Sequence, residues 1–246
     1  MMDEPEVVVW HDLECGGYDA DLALWRELAA AANGPVLELG AGTGRVALDL
    51  ARCGQDVVAL DHDAELVAAL AERARAADLA VPTLHADARD FEAGREFALC
   101  LVPMQTLQLL GGAEGRARCL ACVRAHLTPG GRLAAALADP LEGFGDDVLS
   151  LPLPDMSERE GWIYSSQPTR VHRDGGSTVI ERRRHRVAPD GTHVEATNVV
   201  RLDDVDAARV EREAGAHGLR ALPRRRVPAT EEHVGSDVVL LAVDAD

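Results

Sequence analysis

The chain has 246 residues and a formal charge of -17 at pH 7, a balance that repels a phosphate backbone, whose binding depends on neutralisation by basic groups. All 25 basic residues are arginine, which excludes Schiff-base chemistry and a P-loop lysine. Five cysteines, no positively charged apolar leader and no apolar run long enough to span a bilayer point to the reducing cytoplasm, away from membranes.

Asp19–Ala32 has helical apolar spacing, with Trp25, Leu22, Leu28 and Ala29 reading as core. His11, upstream, takes no assignment. Val36–Leu39 suits a buried strand and Arg45–Cys53 a helix, so Gly40, Gly42 and Gly44 fall at a strand-to-helix turn. Lacking Cβ atoms, these glycines let a ligand approach the backbone beside the amides of a helix N-terminus. That geometry suits a nucleotide-like cofactor. A dinucleotide turn would be G-x-G-x-x-G, but its third glycine is replaced by Arg45 and the spacing is G-x-G-x-G.

Preceded by Glu38, this turn resembles motif I of the class I S-adenosylmethionine-dependent methyltransferases. The resemblance implies that the glycines pass the methionine moiety of the cofactor and that Glu38 helps hold its amino end. Asp56–Asp61 follows as a second apolar strand ending in a carboxylate, which can accept two ribose hydroxyls. Capping of the helix Ala64–Ala77 is the other reading of Asp61, and Asp63 is an equally good cap. By the resemblance, His62 borders the adenine, Asp87 in the Val81–Asp90 segment meets its amino group, and Ala88 meets its ring.

Phe97–Pro103 reads as the next strand and runs into Met104–Leu110, which is similar to the family's motif IV region; Val102 is counted with the cofactor contacts. Gln105 and Gln108 are candidate acceptor contacts, with helix packing the other reading of Gln108. The segment His126–Leu133 is very like the family's L-x-P-G-G helix end, with Leu133–Ala138 restarting as a strand. Cys119, Cys122 and His126 share a helical face, but that face reads as core packing and suggests no fourth metal ligand.

Between Asp139 and Leu202 lies an insertion. Its first part, to about Glu160, reads as irregular loop. Trp162–Arg173, Thr178–Ala188 and His193–Leu202 read as a three-stranded antiparallel meander, separated by Asp174-Gly175-Gly176 and Pro189-Asp190-Gly191. The run Arg182–Arg186 and the triplet Arg224–Arg226 alternate faces on strands and read as solvated arginines paired with acids. Asp206–His217 is an amphipathic helix, and Leu219–Val227 and Asp237–Val243 are the last strands.

The expectation is one α/β domain over residues 1–246. It has a seven-stranded Rossmann-like doubly wound sheet, an antiparallel last strand, and a β-rich insertion at about 139–202 that caps the site or supports a homodimer. The resemblance implies methyl transfer from S-adenosylmethionine to a small-molecule acceptor on O or N, with S-adenosylhomocysteine as product and no metal. A base is needed only where the acceptor arrives protonated. His233, in the loop after Val227, is the candidate, and Tyr18 is a candidate lid over the cofactor. Cofactor binding without turnover and a nicotinamide-dependent oxidoreductase are the rival readings.

Overall fold

The alternation of short apolar strands with amphipathic helices is realised as a seven-stranded sheet in a computed structural model describing residues 4–143, 152–230 and 233–245. In chain order the first elements are α1 (Glu6–His11), a π-helical turn (Asp12–Gly16), α2 (Leu22–Ala32), β1 (Val36–Leu39) and α3 (Arg45–Arg52). They are followed by β2 (Val57–Asp61), α4 (Ala64–Ala76), β3 (Thr83–His85), β4 (Phe97–Val102), α5 (Gly112–His126) and β5 (Leu127–Leu137). After these come β6 (Asp155–Arg159), β7 (Trp162–Asp174), β8 (Ser177–Val187), β9 (His193–Asp203), α6 (Ala207–Gly215), β10 (Arg220–Val227) and β11 (Ser236–Ala242). The chain divides into two units, Tyr18–Ala138 with Val205–Asp246, and Met1–Gly17 with Asp139–Asp204.

In the larger unit the strand order is β10-β11-β5-β4-β1-β2-β3. β1 to β5 run parallel, while β11 is antiparallel to both of its neighbours. The period of two along each strand sorts the core into two layers. Leu37, Leu39, Cys100 and Val102 pack with Leu120 and Val123 of α5 and Val210 of α6. Val36, Leu99 and Leu101 pack on the other face with Trp25 of α2, Val46 and Leu50 of α3, and Leu70 of α4. This is the doubly wound sheet expected from sequence. Cys119 joins the α5 layer, and the His126 ring stacks on Phe91 while its Nδ1–H donates to the Cys122 carbonyl at 2.9 Å.

β5 starts at Leu127, six residues before the expected Leu133. Its register against β4 jumps from Phe97↔Leu127 to Leu99↔Arg132, so the Thr-Pro-Gly-Gly stretch is a bulge inside the strand. The helix ends at His126, one residue before the strand starts. None of the described helices is long and apolar enough to cross a membrane.

The smaller unit corrects the expected three-stranded meander. It is a four-stranded antiparallel sheet in the order β6-β7-β8-β9. The part of the expected loop at residues 144–151 lies outside the described residues, but Asp155–Arg159 is a strand paired with Trp162–Ser166. Glu160 and Gly161 both take positive φ, 52° and 80°, which is the conformation of a tight two-residue hairpin turn. The strand sequence D-M-S-E-R has one apolar residue, so periodicity gives no sign of it.

The arginine run on β8 is internally matched. Arg184 donates two hydrogen bonds to Glu14, both 2.7 Å, and its guanidinium lies 5.1 Å from the Trp10 ring. On the same face Arg182 reaches Ser166 and Asp155, and Arg186 reaches Glu6. Burial raises the Glu14 carboxyl, but the Arg184 and Ser166 bonds outweigh it and hold the group below the usual carboxylate range. Arg183 pairs with Glu195 across the strands. In the larger unit Arg224, Arg225 and Arg226 pair with Glu211, Glu27 and Asp237.

Candidate functional site

The sheet order reverses its sequence direction between β1 and β4, and such a switch point opens a ligand crevice at the carboxyl ends of the strands. The glycine turn leaves β1 there, and the segment after β4 meets it. Gly40 has φ +69°, and a Cβ on it would lie 2.5 Å from Thr106 Cγ2. Gly44 caps α3 at φ +97°, where a Cβ would lie 2.8 Å from Leu70 Cγ. Both positions therefore require glycine on conformational and on steric grounds.

Glu38 lies on the β1 face that turns towards α3, where alternation would otherwise place an apolar side chain. It is 2 % exposed, and its Oε2 has no hydrogen-bond partner among the described residues. Burial lifts its carboxyl to about 8, against the opposing influence of the Arg45 charge and the Ala47 N–H. Arg45 is committed elsewhere: it donates to both oxygens of Asp21, at 2.5 and 2.9 Å, and to the Tyr18 carbonyl at 2.8 Å.

Asp61 ends β2, and its two oxygens accept the Gly42 N–H at 2.8 Å and the Asp63 N–H at 3.0 Å. The helix-cap role belongs to Asp63, which accepts from Glu65 and Leu66 at the start of α4. Each Asp61 oxygen thus keeps a lone pair for a hydroxyl donor. His62 next to it is exposed, with Nδ1 3.2 Å from Asp61 Oδ1.

Asp87 follows β3 and is gripped by Arg89, whose Nε and Nη2 donate to it at 2.9 and 2.6 Å. The Arg89 bonds pull its carboxyl down to about 2. Ala88 and Val102 are buried in the α5-side core. Gln105 stands half-buried just before a short 3-10 turn (Thr106–Leu109). Gln108 is 4 % exposed and spends both ends of its amide on Ala138: Nε2 donates to the carbonyl and Oε1 accepts the N–H, each at 3.0 Å. Its observed partner is thus the end of β5.

Tyr18 is buried between two partners. Its ring lies 4.8 Å from that of His233 and 5.1 Å from the Arg45 guanidinium. Burial and then the Asp21 charge raise its phenol above the usual value, while Arg45 and a hydrogen bond with the Ser236 side chain oppose them. His233 is fixed by the loop after β10, where its N–H donates to Thr230 Oγ1 and its carbonyl accepts the Thr230 N–H. The neighbouring Glu231 and Glu232 lie outside the described residues.

Four residues of this constellation escaped the sequence reading. Asp21, Thr106, Arg89 and Ser236 act through partners distant in sequence or through a turn geometry that no spacing rule shows. Asp21 and Arg89 do leave local traces: Asp21 lies four residues before Trp25 and accepts its indole N–H at 2.7 Å, and Arg89 lies two residues after its partner Asp87.

The residues present suit S-adenosylmethionine: a buried carboxylate oxygen without a donor, a cradle that a Cβ would fill, and a ribose-competent aspartate. Residues 36–131 match the family model described as a methyltransferase domain. The matched stretch carries the glycine turn, Asp61 and Asp87.

Among solved structures, the chain is similar to the sugar N-methyltransferase KedS8 from Streptoalloteichus sp ATCC 53650, at 20 % identity and a TM-score of 0.77 over 98 % of this chain and 94 % of that one. It is also similar to CalS10, an amino pentose methyltransferase from Micromonospora echinaspora involved in calicheamicin biosynthesis, at 21 % identity and 0.74, covering 95 % and 96 %. Streptomyces venezuelae DesVI gives 21 % and 0.74 with both chains covered in full. At these identities the likeness is one of fold. No curated protein matches the chain by sequence.

Proposed function

We propose that the protein transfers the methyl group of S-adenosylmethionine to the nitrogen of a small amino-sugar acceptor. The observation that carries the donor side is the buried Glu38 Oε2, without a hydrogen-bond partner among the described residues, beside the glycine turn at the switch point of the sheet. Glu38 would hold the amino end of the cofactor, Gly40, Gly42 and Gly44 its methionine backbone, and Asp61 its ribose. His62, Asp87, Ala88 and Val102 would border the adenine. The acceptor class is suggested by two neighbours of the same fold, described as a sugar N-methyltransferase and an amino pentose methyltransferase.

Bound S-adenosylmethionine supplies a sulfonium-activated methyl group. The chain's own contribution is placement and proton handling. An amine acceptor is protonated at neutral pH and attacks only after losing that proton. His233, whose ring packs on Tyr18, is the group we assign to receive it, and Tyr18 closes the site against water. Gln105 is the assigned acceptor contact, whereas the Gln108 amide is already engaged with Ala138. We place the reaction in the cytoplasm, and assign a homodimer to the smaller unit.

Incubation with methyl-labelled cofactor and paired amino and hydroxy sugars tests the reading. Label on the amino sugars alone is expected, with His233→Ala slowed most at low pH. Label on hydroxyls alone would overturn N-transfer. Tight cofactor binding with no labelled product would favour a binding protein, and thermal stabilisation by NAD(P) alone would favour the oxidoreductase.

A further inference from the structure

Strand β9 is the long outer edge of the four-stranded sheet. It pairs with β8 through eleven consecutive positions with no register shift, and among the described residues no strand pairs with its other edge. Natural edges are blunted by proline, bulges, short length or charged side chains, lysine above all. β9 has no proline, bulge or lysine and is eleven residues long, H-V-E-A-T-N-V-V-R-L-D, with its first five residues all exposed; its charges are few and of both signs. The opposite edge, β6, is a five-residue strand rich in charge.

The β9 sequence is complementary to itself when reversed. An antiparallel pair centred on Asn198 sets Glu195 opposite Arg201 and His193 opposite Asp203 on one face. On the other face Val194 meets Leu202 and Ala196 meets Val200. Every charged residue of the strand then faces an opposite or titratable partner, and the even-numbered face pairs apolar with apolar on either side of Asn198. Shifting the centre to Val199 would set Glu195 against Asp203, and shifting it to Thr197 would set His193 against Arg201. Registers centred between residues would put Glu195 and Arg201 against aliphatic side chains. Like charges directly opposite disfavour a pairing, and opposite ones favour it.

The side chains are available for this. Glu195 and Arg201 are 52 % and 59 % exposed, in contact with Arg183 and Asp174 of their own chain. Pairing would extend these contacts into a ladder of alternating sign, Arg183–Glu195 of one copy followed by Arg201–Asp174 of the other. At the centre, Asn198 Oδ1 has no hydrogen-bond partner among the described residues, and the second copy would bring another Asn198 amide directly opposite.

We propose that two copies of this chain associate through antiparallel pairing of β9 with β9, centred on Asn198, to form one continuous eight-stranded sheet about a two-fold axis. Such a contact is isologous and closes on itself. It uses backbone groups that the single chain leaves at the sheet edge, and it is independent of which acceptor is methylated.

Sedimentation equilibrium of the full chain, with circular dichroism melts of every variant, tests the proposal. A dimer is expected for the unaltered chain. Glu195→Arg and Arg201→Glu should each weaken it by about tenfold or more, because each reversal acts twice across the axis. The double variant should restore the dimer. Asn198→Cys should give a disulfide-linked dimer on mild oxidation that the parent chain does not, since opposed residues lie within disulfide range. A monomer at every concentration, a dimer indifferent to either reversal, or a folded double variant that stays monomeric would overturn the register. Where a single reversal unfolds the chain, the Asn198→Cys cross-link decides, and its absence overturns the proposal. None of these readouts involves methyl transfer, so the acceptor assignment stands or falls apart from them.

Discussion

Arg45 places two guanidinium nitrogens on the Asp21 carboxylate, at 2.5 and 2.9 Å, in a position where the aspartate is 2 % exposed. The residue that breaks the dinucleotide pattern is therefore the counter-charge of a buried acid at the N-terminus of α2. Truncation by Arg45→Ala would leave Asp21 with the Trp25 indole N–H and without its counter-charge. Loss of one member of a buried pair costs about 3–5 kcal/mol. Urea denaturation should show that loss, and a change below about 1 kcal/mol would show that the pair is solvated and structurally idle.

Glu38 predicts a pH dependence of unusual sign. Its folded value, about 8, lies above the ordinary 4.5, so the folded state binds the proton more tightly than the unfolded chain does. The stabilisation is complete below about 4.5 and is lost as pH rises through about 8, by several kcal/mol at roughly 1.4 kcal/mol per unit. Glu38→Gln should flatten that part of the stability profile. Superimposable profiles for the two proteins would refute the burial argument. Because the ammonium of the cofactor favours the carboxylate form, binding at pH 7 should also release a proton. Calorimetry in two buffers of different ionisation enthalpy reads that proton, and the Gln variant should release none.

The sheet was legible in the sequence because each strand is an apolar run bounded by turn chemistry. The alternation sorts Leu37 from Val36 and puts Glu38 on the Val36 face. The glycine turn and Asp61 stand out by their place at the ends of apolar strands, whereas only the family resemblance singles out Asp87. β6 could not, since D-M-S-E-R has no apolar period and only the Glu160-Gly161 pair betrays a turn. Nor could the clasp of Gln108 on Ala138, thirty positions apart in sequence, or the fate of the arginine run on β8, whose partners lie at Glu6 and Glu14. Tertiary partners decide such residues, and composition shows only that enough acids exist.

Gln108 separates a packing role from an acceptor role. Its amide satisfies the N–H and the carbonyl of buried Ala138, and Gln108→Ala would strand both. Leaving a buried polar group unpaired costs about 1–3 kcal/mol. The variant should melt at a clearly lower temperature while the KM for the acceptor, measured well below that temperature, stays within about twofold. Unchanged melting with a raised KM would return Gln108 to the acceptor site.

Asp61 separates ribose binding from capping. The carboxylate receives the N–H groups of Gly42 and Asp63, so it fixes the glycine turn as well as presenting lone pairs to a ligand. In Asp61→Asn one acceptor oxygen becomes an NH2 donor facing an N–H donor, whichever way the amide turns. The α4 cap at Asp63 is untouched. Cofactor affinity should therefore fall by about tenfold or more, as one to two charge-assisted bonds are lost. Helix content should stay the same. S-adenosylhomocysteine titration by calorimetry checks the first and far-ultraviolet circular dichroism the second. Undiminished affinity with a loss of helix would instead make Asp61 a structural residue of α4.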